Sequence, residues 1–166
     1  MSYVHGGEDI VVLKTLIANE GGVVGVAAKI ETRSAVENLS PVIEESDIVI
    51  VARGDLGMEY GLEEIPLLQE HIVYETRRRG KPVVVATQIL ESMIDNPVPT
   101  RAEVMDVAIA VKQGVDALML TGETAIGKYL GETVKWLRKI IRRIEERYPP
   151  QKFPLWIING LMLAVL

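Results

Sequence analysis

The sequence predicts a fold of the α/β class, in which parallel strands alternate with helices. Four short apolar runs, residues 23–28, 48–52, 83–86 and 117–120, carry no polar alternation, which is typical of strands buried in a parallel sheet. Their last residues lie 24, 34 and 34 positions apart, close to the length of one strand–helix–strand step. Polar or charged residues follow each run at once, so we expect all four strands to deliver polar side chains to one edge of the sheet.

The first helices are predicted from weak signals. Residues 8–18, before the first strand, have the spacing of an amphipathic helix, and residues 2–4 ahead of them resemble the end of a truncated strand. Residues 34–45 predict a second helix. It restarts at Ser40 and Pro41, where the serine is expected to cap the helix and the proline to lie in its first turn.

Three later helices have clearer boundaries. The first ends at Gly80, a residue type that commonly follows a helix. The second begins with a capping box formed by Thr100 and Glu103 and closes at Gly114. The third is the cleanest amphipathic helix in the chain, and its apolar positions are Val134, Leu137, Ile141, Ile144 and Tyr148.

Parallel strands that alternate with helices four times correspond to half of a TIM-type (β/α)8 barrel, or to a small open sheet. A chain of 166 residues is long enough for one ordinary domain, which we place at residues 1–148. Residues 149–166 form an apolar tail. A helix over residues 153–166 would span about 21 Å, short of a membrane core of roughly 30 Å. We therefore interpret the tail as a packing segment or an abnormal chain end, with membrane contact as the alternative.

The composition excludes several classes of function. The chain is 48% hydrophobic and 25% charged, and its net charge of -5 argues against a nucleic-acid surface. It has no cysteine, which excludes disulfides, thiolate metal sites and a thiol nucleophile. Its two histidines, His5 and His71, are far apart in sequence, so zinc is not expected. The N-terminus lacks the pattern of a secretory signal, so we expect a cytoplasmic protein.

The residues that follow the predicted strands are candidates for chemistry, and they are Lys29, Glu31, Arg53, Asp55, Thr87, Gln88, Glu91 and Glu123. Glu31 and Asp55 are carboxylates on neighbouring strands, a ligand pair that suits Mg²⁺. A structural ion-pair network with Lys29 and Arg53 explains the same residues, and for Arg53 it is the favoured interpretation.

Three further features admit a functional and a structural interpretation. Lys29 lies two residues before Glu31, so both side chains point to one side of a strand, where a fixed cation beside a metal stabilises a transferring phosphoryl group. The backbone amides of residues 54–57 suit a carboxylate or a phosphate, although a simple glycine turn has the same sequence. Thr87 has a hydroxyl that can relay a proton or simply complete the hydrogen bonding at a strand end.

Five sequence motifs resemble the barrel of the pyruvate kinase family. They are Ala-Lys-Ile-Glu at 28–31, Val-Ala-Arg-Gly-Asp-Leu-Gly-Met-Glu at 51–59, Ala-Thr-Gln-Ile-Leu-Glu-Ser-Met at 86–93, Pro-Thr-Arg-Ala-Glu-Val-Met-Asp-Val-Ala at 99–108 and Met-Leu-Thr-Gly-Glu-Thr-Ala-Ile-Gly at 119–127. The similarity covers residues 2–148, in order and at the family's spacing. Two departures are small, a threonine at 32 in place of the usual asparagine and one at 121 where serine is common.

The resemblance implies a reaction and a role for individual residues. Pyruvate kinases move a phosphoryl group from phosphoenolpyruvate to ADP and then protonate the enolate. The resemblance implies that Lys29 stabilises the phosphoryl group, that Glu31 and Asp55 hold Mg²⁺, and that the amides of Gly54 and Asp55 bind the substrate carboxylate. Thr87 would then lie beside the carbon that gains a proton. The segment that contains Glu123 would close the same rim as a further substrate-binding element, and Arg101 would lie toward a subunit interface.

The resemblance also implies that this chain carries only part of the family's barrel. The first three strands, the lid domain and the C-terminal domain are expected to be missing, and with them the K⁺ site and most of the nucleotide site. We therefore expect a phosphotransferase fragment that is inactive alone, and a homo-oligomer or an assembly formed through exposed half-barrel edges. The alternatives are a non-catalytic half-barrel that acts through association and another enolate-handling barrel enzyme, an aldolase or a lyase.

Overall fold

The computed structural model describes residues 1–149, and within them the strands form one parallel sheet. The strands are β1 (Ala27–Ile30), β2 (Ile48–Ala52), β3 (Val83–Ala86) and β4 (Ala117–Met119), and they lie in the sheet in this order. Ile30 pairs with Val51, while Ala86 pairs with Ala52 on one side and Met119 on the other. The carboxyl ends of all four strands therefore meet at one edge, as the sequence predicts.

Helices fill the intervals between the strands. They are α1 (Gly7–Asn19), α2 (Arg33–Glu37), α3 (Leu39–Glu45), α4 (Arg53–Tyr60), α5 (Ile65–Arg78), α6 (Arg101–Gln113), α7 (Gly122–Ala125) and α8 (Leu130–Glu145). Short 3₁₀ turns occupy Leu62–Glu64 and Glu91–Ile94. The longer helices contact one another in the order α1, α3, α5, α6 and α8, so they form one layer beside the sheet.

The boundaries of α6 confirm the predicted capping box. The Glu103 amide donates to the Thr100 hydroxyl over 3.2 Å, and the Thr100 amide donates to the Glu103 carboxylate over 2.7 Å. Each residue thus satisfies a backbone N–H group of the other that the helix leaves unpaired. At the other end Gly114 has a φ of +86°, a conformation in which glycine carries no steric penalty.

The hydrophobic core lies between the sheet and the helix layer. Alternate strand residues, including Val49, Val51 and Val85, are fully buried against helix residues. The side chains between them, Ile50 and Val84, point to the opposite face and line an apolar groove of about 780 Å³ that extends to β4 and α8. In the described part of the chain, helices cover one face of the sheet and leave this groove open on the other.

The predicted bounds of the first strand are wrong. The strand begins at Ala27 instead of residue 23 and continues to Ile30, so Lys29 lies within it. Val23 is 98% exposed and Val24 is 61% exposed. The chain reaches the sheet only at Val26, whose amide donates to the Asp47 carboxylate over 2.6 Å. The fourth strand is also one residue shorter than predicted and ends at Met119.

Two other local predictions need correction. Residues 2–4 do not form a strand, although the Met1 carbonyl beside β1 accepts a hydrogen bond from the Lys29 amide over 3.0 Å. The helix predicted at 34–45 is divided at Asn38, whose backbone angles of φ -103° and ψ 30° are not helical, and whose side-chain amide donates to the backbone carbonyl of Ser34. Ser40 therefore lies inside α3 and does not cap it, whereas Pro41 lies in the first turn, as predicted.

The tail predicted at 149–166 lies, from residue 150 onward, outside the described residues. Within residues 1–149, none of the helices combines the length and the apolar character that a membrane crossing requires.

Candidate active site at the carboxyl edge of the sheet

Lys29 and Glu31 form an ion pair at the end of β1. The ammonium nitrogen of Lys29 lies 2.7 Å from Oε2 of Glu31. The two residues are two positions apart, so the extended backbone directs both side chains to the same side. Lys29 is about one third exposed, whereas the Glu31 side chain is only 1% exposed. The pair therefore presents a cation at the surface above a buried carboxylate.

The buried Glu31 carboxylate is only partly satisfied. Its Oε1 accepts a hydrogen bond from the Tyr3 amide over 2.5 Å. Its Oε2 receives no hydrogen bond of regular geometry from any described residue, and the Lys29 ammonium is the charge beside it. Burial of a carboxylate oxygen without hydrogen bonds is costly, because the group has lost its hydration. The atom is thus suited to a further positive ligand.

Asp55 lies on the next strand–helix unit, in the first turn of α4. Its side chain is half-buried, and no other residue in the range 1–149 forms an ion pair or a hydrogen bond with its carboxylate. A negative charge in the first turn of a helix is stabilised by the helix dipole. Asp55 therefore stays available as a ligand without an internal counter-ion.

Glu31 and Asp55 carry the type of ligand atom that a hard divalent cation prefers. Mg²⁺ takes few protein carboxylates and completes its coordination with substrate and water oxygens. Glu31 supplies a buried oxygen without a regular hydrogen bond, and Asp55 supplies a carboxylate without a described partner. Residues 1–149 contain no group of three or more potential metal ligands, so a structural metal cage of that kind is not present there.

Thr87 connects the end of β3 to the start of α4. The N-cap residue of α4 is Ala52, which has no side-chain acceptor for the unpaired amides of the first turn. The Thr87 hydroxyl oxygen takes this role from the neighbouring strand and accepts a hydrogen bond from the Gly54 amide over 2.9 Å. Residues 54–57 lie inside α4, which excludes the alternative of a simple glycine turn. The predicted substrate-binding amide and the predicted proton-handling hydroxyl are therefore in direct contact.

Thr87 and Gln88 share an unusual backbone conformation. Their φ angles are +69° and +52°, in the left-handed region that residues with a side chain rarely adopt. Each such residue costs on the order of 1–3 kcal/mol and persists only where its surroundings impose the conformation. The guanidinium group of Arg53 lies against these two residues and donates to both of their carbonyl groups.

Glu123 is buried beside the same loop. Its side chain is 1% exposed, and its two carboxylate oxygens accept hydrogen bonds from the amides of Leu90 and Thr121 over 3.1 and 2.8 Å. Burial alone would raise the pKa of Glu123, but the hydrogen bonds from surrounding backbone amides outweigh burial and lower its pKa. This arrangement favours a structural role for Glu123 over the substrate contact that the sequence motif implies.

The structure thus gathers most of the predicted residues into two contacts. Lys29 and Glu31 form one contact at β1, and Gly54 and Thr87 form the other between α4 and β3, with Asp55 in the same first turn as Gly54. Glu91 is exposed and takes part in neither contact. Sequence reasoning missed the partners of Arg53, because they come from segments distant in the chain and no sequence pattern links them to Arg53.

Comparisons with known proteins all match the same family. A family model described as the barrel domain of pyruvate kinase matches residues 1–134. The pyruvate kinase of Thermotoga maritima is 48% identical over 147 residues, which cover 89% of this chain and 32% of that protein. The pyruvate kinase of Aeropyrum pernix is 48% identical over 156 residues, which cover 92% of this chain and 34% of that protein.

A solved structure supports the same conclusion. The crystal structure of pyruvate kinase from Pyrobaculum aerophilum matches with a TM-score of 0.84 at 45% identity, over 86% of this chain and 34% of that one. The predicted fold class, with parallel strands and helices arranged as in half of a (β/α)8 barrel, is confirmed. The chain spans about a third of the length of the curated relatives that it matches.

Proposed function

Because the chain belongs to the pyruvate kinase family, we propose that it carries the metal-binding and enolate-binding half of a phosphotransferase site. The reaction is transfer of a phosphoryl group from phosphoenolpyruvate to ADP, which gives pyruvate and ATP and places the protein in glycolysis. The observation that supports this most directly is the buried Glu31 oxygen with only the Lys29 ammonium beside it. We also propose that the chain is inactive alone, since it spans only about a third of its relatives' length.

Glu31 and Asp55 are the residues that would hold Mg²⁺. The bound ion would supply positive charge to the oxygens of the substrate, which carry negative charge before and after transfer. The family's K⁺ site and most of its nucleotide site are proposed to lie outside this chain.

Lys29 is proposed to stabilise the phosphoryl group during transfer. The bond between phosphorus and the enol oxygen breaks while a bond to the terminal oxygen of ADP forms, and negative charge is spread over the transferred oxygens. A partly exposed ammonium group that is fixed by Glu31 provides positive charge at the site without a reorganisation of the chain.

Thr87 is proposed to act in the second step, in which the enolate gains a proton at its terminal carbon. The Thr87 oxygen already accepts from the Gly54 amide, so its own proton is available for another acceptor. Binding of a substrate carboxylate at the Gly54 amide would compete with this hydrogen bond. Substrate binding and the orientation of the Thr87 hydroxyl would therefore be coupled.

A chimera tests the proposed function. Residues 1–148 of this chain would replace the matching segment of the Thermotoga maritima pyruvate kinase, which is 48% identical to it over 147 residues. We expect the chimera to form pyruvate from phosphoenolpyruvate and ADP in the presence of Mg²⁺ and K⁺. The matched control is the same chimera with Lys29→Met. A folded chimera without Mg²⁺-dependent turnover would contradict the proposal.

The isolated chain tests the proposed inactivity. It would be incubated with phosphoenolpyruvate, ADP, Mg²⁺ and K⁺ while pyruvate is followed over time. We expect no turnover above the buffer background. Turnover by the wild-type chain that is lost in Lys29→Met would show that the matched residues are sufficient, and the claim of inactivity would be wrong.

The open apolar groove favours a second candidate function, association without catalysis. Its volume is about 780 Å³, and Ile50, Val84 and Leu118 are among the side chains that line it. Apolar surface of this kind favours contact with a second chain, and a homo-oligomer is the proposed partner arrangement. Light scattering of the purified chain measures its association state directly, and a stable monomer would count against association.

We further propose that the protein acts in the cytoplasm.

A further inference from the structure

We infer that Arg53 is a positioning residue, whose buried guanidinium group holds Thr87 and Gln88 in the left-handed conformation that brings the Thr87 hydroxyl to the Gly54 amide. Its relevance to catalysis rests on the proposed function, in which Thr87 handles a proton. The geometry itself stands independently of that function.

The first support is that all donors of Arg53 are used within the protein. A guanidinium group has five N–H donors. Nε and Nη2 both donate to the Thr87 carbonyl, over 3.2 and 2.7 Å, and Nη2 also donates to the Gln88 carbonyl over 2.8 Å. Nη1 donates to the Asp106 carboxylate over 2.6 Å and to the Gln69 side-chain oxygen over 3.3 Å. No N–H donor remains for a substrate, so Arg53 acts through the loop that it holds.

The second support is the strain in the loop. Thr87 and Gln88 are consecutive and both have a positive φ, and among the described residues Tyr3 is the only other non-glycine residue with this property. Strained conformations persist where neighbouring groups impose them. Three of the five Arg53 hydrogen bonds end on the two carbonyl groups of this pair, so the side chain is placed to impose the conformation.

The third support is that Arg53 is itself fixed. It is 6% exposed, so its charge requires compensation, and the Asp106 carboxylate on α6 provides it. Gln69 on α5 accepts from the same nitrogen and in turn donates to Gln113 on α6 over 2.7 Å. The guanidinium group is thus held from two helices, whereas a surface ion pair would leave it able to move.

Nuclear magnetic resonance on the full 166-residue chain tests the inference without an activity assay. Two quantities are measured in the wild type, Arg53→Lys and Arg53→Gln. One is the set of backbone couplings that report φ at Thr87, and the other is the hydrogen-exchange rate of the Gly54 amide. Ile10→Ala is the matched control, since it truncates a buried side chain on α1 and removes no contact with the loop.

We expect both Arg53 variants to lose the left-handed couplings at Thr87. The Gly54 amide should exchange about tenfold faster, since the loss of one hydrogen bond changes local protection by about that factor. The Val51 amide in β2 should keep its wild-type rate. The increase in the Gly54 exchange rate should be smaller in Arg53→Lys than in Arg53→Gln, because an ammonium group can replace some but not all of the guanidinium donors.

Wild-type couplings at Thr87 in Arg53→Lys would overturn the inference, whether or not Arg53→Gln folds. The same changes in Ile10→Ala would also overturn it, since they would then reflect lower global stability. Neither result depends on turnover. A failure of the positioning role is therefore distinguishable from a failure of the proposed function, which the chimera tests.

Discussion

Replacement of Glu123 by glutamine should destabilise the chain, although the two side chains are nearly equal in size. Both oxygens of Glu123 accept backbone hydrogen bonds in a site that is 1% exposed. Glutamine keeps one acceptor oxygen but turns an NH₂ group toward the other backbone donor. A hydrogen bond to a charged group contributes about 1.5–3 kcal/mol, and an unmatched buried donor costs about 1–3 kcal/mol. We therefore expect a loss of about 2.5–6 kcal/mol in the free energy of unfolding, the sum of these two contributions.

Urea unfolding followed by circular dichroism measures this loss as a lower midpoint at an unchanged slope. The control is Glu146→Gln, because Glu146 is 63% exposed and pairs only with the exposed Arg143 among the described residues. We expect the control to leave the midpoint nearly unchanged, as is usual for surface ion pairs. An equal midpoint for Glu123→Gln and Glu146→Gln would refute the reasoning.

The pH dependence provides a second check on Glu123. Its pKa is lowered from the ordinary value of 4.5 in the folded state, so its contribution to stability is complete above pH 4.5. The contribution is lost as the pH falls through the lower folded pKa. The difference between the wild type and Glu123→Gln should therefore be constant near neutral pH and shrink progressively below pH 4.5. A difference that does not change in acid would argue against a charge-dependent role.

Three other substitutions give independent checks. Glu31→Gln should abolish Mg²⁺ binding in isothermal titration calorimetry, since it removes the buried charged oxygen, and unchanged binding would exclude Glu31 as a ligand. Thr100→Ala should lower the free energy of unfolding by about 1 kcal/mol through loss of the α6 cap. Thr100→Ser should keep most of the wild-type stability, because serine also has a hydroxyl group that can cap the helix. Gly7→Ala should lower the free energy of unfolding by about 1–3 kcal/mol in the same assay, because a Cβ atom at residue 7 would lie 2.8 Å from the Pro41 carbonyl oxygen. A variant as stable as the wild type would show that α1 and α3 separate easily.

The sequence predicted the middle of the sheet better than its first strand. The bounds of β2 and β3 agree with the apolar runs to the residue, because nearly every residue of both strands is buried and a polar or charged residue follows each strand directly. The run at 23–28 also has no polar side chain, but Val23 is exposed. Where an apolar run enters a sheet depends on pairing with another strand, which the sequence of one segment does not contain.

The candidate site was predicted as a set of residues but not as a set of contacts. The side-chain periodicity of a strand predicts the proximity of Lys29 to Glu31. The left-handed backbone at Thr87 was not predictable, since the sequence signal for that conformation is glycine. Its cause is Arg53, which lies on another strand–helix unit and reaches the loop only in the folded protein. The hydrogen bond from the Leu90 amide to Glu123 was not predictable for the same reason, since the two residues are 33 positions apart.

The hydrogen bond between Thr87 and Gly54 has a consequence for the order of folding. The first turn of α4 receives its cap from a residue 33 positions later in the chain. That turn is therefore not complete until β3 has paired with β2, even though α4 follows β2 directly. The second and third strands, with α4 and α5 between them, should consequently fold and open as one cooperative unit, so the contact between Gly54 and Thr87 in the candidate site forms together with that unit.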